Sequence, residues 1–141
     1  MSTEKNKKVI RAIFDVLHKR TFNAIDELLA EDFVNHNPMV GCAPDREGLK
    51  DSFILMSEAF PDLEYRIDAL IAEGEKVVTY STVSGTHKGP FMGIQPTGNS
   101  FEAPTISITR HEGDRVAERW NVTDALAMLQ QLDLVSFKGI G

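Results

Sequence analysis

The sequence predicts an α+β protein in which a run of helices precedes a run of antiparallel strands. Apolar residues recur with the helical period between Val9 and Phe60, and they alternate with a period of two between Leu63 and Val122. Alternating strand–helix–strand units would instead interleave the two periods. We expect a single domain over residues 1–141, because a domain usually takes about 100–200 residues.

Three helices are expected in the first half of the chain. The first covers Glu4–Arg20, which contains neither glycine nor proline and carries apolar residues at helical spacing. A short second helix follows Thr21 and reaches about Ala30, and a third runs from a cap at Asp45 to Phe60. Residues 31–44 contain two prolines and a glycine, so they should form a short extended piece and a loop.

The second half should contain four strands and a final helix. A Gly- and Pro-rich loop at 86–99 separates the first two strands from the last two. The strands are expected at 63–71, 77–85, 100–112 and 115–122, and the helix ends near 132.

Charge and cysteine content exclude several classes of protein. Lys and Arg number 15 against 21 Asp and Glu, so the net charge is −6, and no basic run could follow a phosphate backbone. Nucleic acid is therefore not an expected partner. The single cysteine, Cys42, cannot form an intrachain disulfide, which favours a reducing cytoplasm. No apolar stretch is long enough for a signal peptide or a membrane span, so no membrane partner is expected.

The segment Glu118–Asp124 contains the first candidate site. The period of two places Glu118, Trp120, Val122 and Asp124 on one face of the last strand. If that face lines a concave sheet, Asp124 can act as a general base beside an indole. Asp124 is equally suited to cap the final helix, and Trp120 to fill the core. The residues alone leave both interpretations open.

Two more side chains could carry chemistry. His36 stands in Phe33–Pro38, where an imidazole could donate to or accept from a substrate oxygen, or be an ordinary loop residue. Arg110 shares its strand face with Ile106 and Ile108. It could approach Glu118, face the cavity of Asp124, or be an exposed cross-strand partner. The histidines lack the spacing of a metal motif, so no metal is expected.

The N-terminal helix and three later segments together resemble the SnoaL-like polyketide cyclases of the NTF2-like superfamily. The segments are Phe33–Pro38, Gly85–Gly98 and Glu118–Asp124. The resemblance implies a cone-shaped barrel in which a curved antiparallel sheet and the N-terminal helices enclose a deep cavity. The His36 loop and the segment around Phe91 should line its mouth.

The resemblance also implies a function. Its members close a ring of a polyketide ester by intramolecular aldol condensation, without metal or cofactor, so a small apolar carbonyl compound is the expected ligand. Asp124 falls on the catalytic aspartate, and His36 falls on a cavity position. The expected ligand-binding residues are Phe33, Phe91, Arg110 and Trp120. Because the fold also serves proteins that catalyse nothing, a ligand-binding or dimerisation module is the alternative.

A homodimer formed through the sheet is a further implication of the resemblance. One face of the sheet should need to be covered, and we expect weakly charged strand residues to form that face. These residues are Ser81, Val83, Thr105, Ser107 and Thr109.

Overall fold

Helices and strands follow the predicted order in the computed structural model, which describes residues 2–136. The helices are α1 (Thr3–Lys19), α2 (Arg46–Ala59) and α3 (Ala125–Gln131), with a 3-10 helix at Phe22–Glu27. The strands are β1 (Leu29–Asn35), β2 (Glu64–Glu73), β3 (Lys76–Thr86), β4 (Ser100–Glu112) and β5 (Arg115–Thr123). The predicted α+β class is confirmed.

The sheet has one more strand than predicted. Its order is β1-β5-β4-β3-β2, and every pair is antiparallel except β1 with β5, which is parallel. The expected second helix is only a 3-10 helix, because β1 begins already at Leu29, opposite Val116. Leu29 and Phe33 are buried in the core on this strand. Tertiary pairing here overrides a local helical pattern.

Two hydrophobic clusters hold the helices against the sheet. The first contains Val9, Ile10, Val16, Ile25, Leu29, Phe33, Leu49, Val77 and Val116. The second contains Ala59, Phe60, Leu63, Val83, Phe91, Phe101, Ala103, Met128 and Leu132. Between them, the concave face of the sheet is left free to line a cavity.

The loop after β3 is fixed to the end of α2. The backbone N–H groups of Lys88 and Gly89 both donate to the carbonyl of Ala59 at 3.0 Å. A Cβ atom at Gly89 would lie 2.2 Å from the Glu58 carbonyl oxygen, so only glycine allows this approach. The attachment places Phe91, which is buried, over one end of the sheet.

The strand residues that were expected on the exposed face of the sheet lie on its inner face. Ser81, Val83 and Thr109 are buried on the inner face, and Thr105 and Ser107 line cavities there. The expectation that these five residues form an outward surface is therefore wrong. The outer face instead carries the large apolar side chains Tyr80, Ile106, Ile108 and Val122. Strand alternation fixes opposite faces but does not say which one is enclosed.

His111, at the end of β4, is a fully buried imidazole. Its Nε2 lies 2.8 Å from the hydroxyl of Thr109, and its Nδ1 has no hydrogen-bond partner within residues 2–136. Burial lowers the pKa of His111 to about 4, because no described group compensates the cost of a buried positive charge.

This burial predicts a loss of stability in mild acid. The unfolded imidazole takes up a proton near pH 6.5, whereas the folded one resists until about pH 4. The free energy of unfolding should thus fall by about 2 kcal/mol between pH 7 and pH 4.5. Urea titrations at several pH values measure this. His111→Phe should flatten the dependence. An unchanged slope in His111→Phe would contradict the assignment.

Candidate functional site

The concave face of the sheet lines a cavity of about 510 Å³, which we call the outer cavity. Its walls come from the loop after β1, from α2, from the segment around Phe91, from β5 and from α3. Much of the lining is apolar, with Met39, Phe53, Met56 and Met128 among the side chains. The prediction that both loops line the mouth agrees with this, although His36 itself does not belong to the lining.

A second, smaller space of about 70 Å³ lies deeper, and we call it the inner chamber. It is enclosed by α1 on one side and by β3, β4 and β5 on the other. The two spaces share part of their walls. The shared residues are Phe53, Tyr65, Thr105, Arg119 and Asn121.

Arg119 is the charged group at this boundary. Arg119 lies on β5, opposite Thr109 of β4, and it lines both spaces. Within residues 2–136 its guanidinium makes no hydrogen bond or ion pair. Burial lowers the pKa of Arg119 to about 10, a shift that Tyr65 partly offsets, so the side chain is still charged at pH 7. A desolvated cation without a counter-ion is an anion-binding group.

Tyr65, on β2, supplies a phenol at the same boundary. Burial raises its pKa to about 12, and the charges of Arg119 and Arg20 partly offset that rise. The phenol is therefore neutral at pH 7 and can donate a hydrogen bond. Its ring packs edge-to-face on Phe14, with centroids 6.1 Å apart, which restricts its orientation.

Asn121 completes the polar group. Its backbone N–H donates to the side-chain oxygen of Asn37 at 2.9 Å, which ties β5 to the loop after β1. Its own Oδ1 is buried and has no hydrogen-bond partner within the described residues. Arg119 and Tyr65 can together hold a carbonyl or enolate oxygen, because a guanidinium and a neutral phenol both donate hydrogen bonds, whereas the free Oδ1 of Asn121 accepts one.

Asp124 lies outside both spaces. Its carboxylate is exposed and caps α3, since Oδ1 accepts from the backbone N–H of Ala127 at 3.0 Å. It borders a shallow outer surface together with Tyr80, Ile106 and Val122. The condition on which its role was predicted, that this face of β5 lines the cavity, is therefore not met. The capping interpretation describes the contact that it makes.

His36 and Trp120 meet on the outer face of the sheet. Their rings stack with centroids 4.7 Å apart and planes at 7°. The Nε2 atom of His36 lies 3.2 Å from Glu118, and the Nζ of Lys76 lies 5.5 Å from the centroid of the Trp120 ring. These predicted site residues come together, but on the side of the sheet opposite to the cavity.

Arg110 approaches Glu118, one of the alternatives that the sequence left open. Its Nε donates to Glu118 at 2.6 Å and its Nη1 to Glu112 at 2.7 Å. The Arg110 guanidinium is the main reason that the pKa of Glu118 is held below its usual range, and His36 adds to this effect. Arg110 is thus neutralised on the outer face and does not line either space.

Phe91 and Phe33, two of the predicted ligand-binding residues, lie in the walls of the two spaces. Phe91 lines the outer cavity and Phe33 the inner chamber, and both are buried. The sequence analysis missed Tyr65, Arg119 and Asn121. The only signal for the latter two was that they share the face of β5 opposite to Trp120.

The described lining of the outer cavity contains no Asp, Glu or His side chain. Within residues 2–136, no three His, Cys, Asp or Glu side chains are grouped closely enough to hold a metal ion. None of the described helices has the length and hydropathy needed to cross a membrane.

Solved structures confirm that the cone-shaped NTF2-like fold defines this class of protein. TsrD from Streptomyces laurentii superposes with a TM-score of 0.86 at 24% identity, over 96% of this chain and 99% of that chain. IdmH from Streptomyces antibioticus, a proposed polyketide cyclase, gives 0.80 at 30% identity, over 91% and 98%. A proposed polyketide cyclase from Acidithiobacillus ferrooxidans gives 0.79 at 26% identity, over 96% and 100%.

The family follows from the sequence itself. The model of the SnoaL-like polyketide cyclases matches residues 7–132, so the chain belongs to this family. The predicted resemblance is confirmed. No curated protein gives a significant match to the chain.

The unpaired guanidinium predicts an unusual effect on stability. Replacing Arg119 by Met removes a partly buried, unpaired charge and retains most of the side-chain volume, so the free energy of unfolding should rise by about 1 kcal/mol. Urea unfolding at pH 7 measures the change. Arg110→Met is the matched control, because it removes ion pairs from the outer face and should cost up to about 1 kcal/mol. If Arg119→Met is less stable than the parent, the guanidinium is not a net cost to the fold.

Proposed function

We propose that the outer cavity binds a small, mainly apolar carbonyl compound of polyketide type and promotes its intramolecular aldol ring closure. The observation that carries this proposal is Arg119, a charged guanidinium that faces an open cavity without an anionic partner in residues 2–136. Family membership supports the choice of reaction. A substrate oxygen that becomes negative during the reaction would supply the missing partner.

The chemistry needs one proton transfer in each direction. The carbon next to a carbonyl loses a proton, and the resulting enolate oxygen is held by Arg119, with the hydroxyl of Tyr65 as a neutral donor. The enolate carbon then attacks a second carbonyl of the same molecule, and the new alkoxide takes up a proton. The apolar walls reduce the dielectric constant around these charges and so strengthen the effect of Arg119.

The proposal assigns the main rate effect to Arg119 and none to the carboxylate of Asp124. Two observations support this assignment: Asp124 is exposed, and its Oδ1 caps α3. The hydrogen between two carbonyls is acidic, so the neutral substrate can lose this proton to water in the cavity as the stabilised enolate forms. Asp124 and His36 as acid–base groups remain a prediction of the family resemblance.

A non-catalytic binding protein is the second candidate. It is favoured by the outer-cavity lining, which offers no carboxylate or imidazole among the described residues. Such a protein would hold a carbonyl or carboxylate ligand at Arg119 without turning it over.

Exchange of the α-hydrogen of ethyl acetoacetate in D₂O, followed by NMR, tests the proposal directly. Arg119→Met should lower the protein-dependent exchange rate by about 10²–10³-fold, the usual effect of removing one oxyanion-stabilising group. Asp124→Asn should change it by less than about threefold, because Asn caps a helix as well as Asp does.

Two results would decide against this assignment. A collapse of exchange in Asp124→Asn with near-normal exchange in Arg119→Met would return the catalytic role to Asp124. Binding of the ester without any protein-dependent exchange would favour the binding protein.

A homodimer formed through the outer face of the sheet also belongs to this proposal. Tyr80, Ile106 and Val122 are direct cross-strand neighbours there, with 43%, 48% and 71% of their surface exposed. Contiguous exposed apolar side chains of this kind usually mark an interface.

Light scattering at micromolar concentration should give the mass of a dimer. Val122→Lys should shift it to the monomer, because a charge would be buried at the interface. Leu55→Lys, at an exposed leucine of α2, is the control and should remain dimeric. A monomeric parent would remove the idea.

A further inference from the structure

The inner chamber holds a positive charge that no described residue balances. Arg119 lines this space of about 70 Å³, and no Asp or Glu belongs to its described walls. The guanidinium makes no hydrogen bond or ion pair within residues 2–136. An unbalanced charge that is withdrawn from water destabilises a fold, and a bound charge of opposite sign removes that cost. The chamber is therefore a place where an anion would be stabilised.

Hydroxyl groups surround the same space. Thr79 and Ser107, which are direct cross-strand neighbours on β3 and β4, line the chamber, and so does Tyr65 on β2. Thr79 is 1% exposed, and its hydroxyl has no hydrogen-bond partner within residues 2–136. A hydroxyl can turn its hydrogen towards an anion, so these groups and the guanidinium form a set of donors. A buried hydroxyl without a partner is costly, which indicates that a guest satisfies it.

The size and the opposite wall of the chamber limit the kind of anion. A volume of about 70 Å³ corresponds to roughly two water molecules at about 30 Å³ each, which leaves room for one halide ion and one water molecule. The opposite wall is apolar and comes from Ile13, Phe14 and Leu17 of α1. Removing an ion from water costs more when its charge is higher, so this wall favours a monovalent ion over a divalent one.

The Oδ1 atom of Asn121 restricts where the ion can lie. This atom is buried and has no hydrogen-bond partner among the described residues. It is an acceptor, so it repels an anion, and the ion should lie on the Arg119 side of the chamber. A water molecule between them can donate one hydrogen to Oδ1 and the other to the ion. One ion and one water molecule thus satisfy both the donors and this acceptor.

We propose that the inner chamber is a halide site, in which one chloride ion neutralises Arg119 when no organic ligand is bound. The ion accepts hydrogen bonds from the guanidinium and from the hydroxyls of Thr79 and Ser107. This inference goes beyond the proposed function, which concerns a carbonyl ligand in the outer cavity, and the site does not depend on any reaction. A ligand oxygen at Arg119 would compete with the ion, because both use the same charge.

Urea unfolding at pH 7 and constant ionic strength tests for the site. Sodium chloride replaces sodium gluconate, whose anion is too large for the chamber. Above the dissociation constant, each tenfold increase in chloride should raise the free energy of unfolding by about 1.4 kcal/mol, because the ion binds the folded protein alone. Arg119→Met should lose this dependence. Arg110→Met is the control and should keep it, because the Arg110 guanidinium is paired on the outer face.

The broadening of the chloride NMR line measures binding without reference to stability. The parent should broaden the line, and added bromide should reverse the effect. Thr79→Val removes a donor and keeps the shape, so it should weaken chloride binding at least about tenfold. Thr82→Val, the same substitution on the opposite face of β3, is the matched control and should bind chloride like the parent.

An internal counter-ion should replace the chloride ion. Asn121→Asp places a carboxylate in the chamber wall with Arg119, so it should abolish both the chloride dependence of stability and the line broadening.

The halide site is refuted by an equal chloride dependence in the parent and in Arg119→Met, by equal stability of the parent in chloride and in gluconate, or by line broadening that survives in Asn121→Asp. The proposed function fails separately. If chloride binds as described but ethyl acetoacetate shows no protein-dependent exchange, the halide site stands and the catalytic proposal falls.

Discussion

The desolvation of one guanidinium is the constraint on which the site depends. Arg119 lies where the inner chamber meets the outer cavity, and no described carboxylate pairs with it. Its charge persists because the pKa of a guanidinium is high enough to survive burial, which lowers it only to about 10. A lysine or histidine in the same place would be far closer to losing its proton at neutral pH. The fold thus holds a permanent positive charge beside an apolar space.

The sheet is arranged to accommodate this charge. In Thr105–Thr109 the hydroxyl-bearing residues alternate with isoleucines, and the hydroxyls face inward while the isoleucines face outward. Thr109 and Ser107 stand opposite Arg119 and Asn121 on β5. A polar inner face lowers the cost of keeping a cation and an amide there. The helices contribute the apolar part of the enclosure, since α1 and α2 close the cavity from the other side.

The same arrangement explains which parts of the protein the sequence could predict. Periodicity located α1, α2 and the four long strands, because each is a strong local pattern. It did not locate β1, whose parallel pairing with β5 is a long-range contact with no local signal. It also assigned the wrong face of β5 to the cavity. Alternation is symmetric, and the usual rule that apolar residues face inward fails for a sheet that lines a polar cavity.

Two arginines on neighbouring strands differ in whether their charge is balanced within the described residues: Arg110 on β4 is paired and Arg119 on β5 is not. Arg110 is held by two carboxylates on the outer face, so its charge is balanced within the chain. His36 and Trp120 are likewise occupied, by Glu118 and by each other. A cluster whose members already satisfy one another gains little from a ligand. The desolvated guanidinium of Arg119 has no hydrogen-bond partner among residues 2–136, and a ligand oxygen would supply one. Function is therefore better sought at unsatisfied buried groups than at conspicuous but balanced ones.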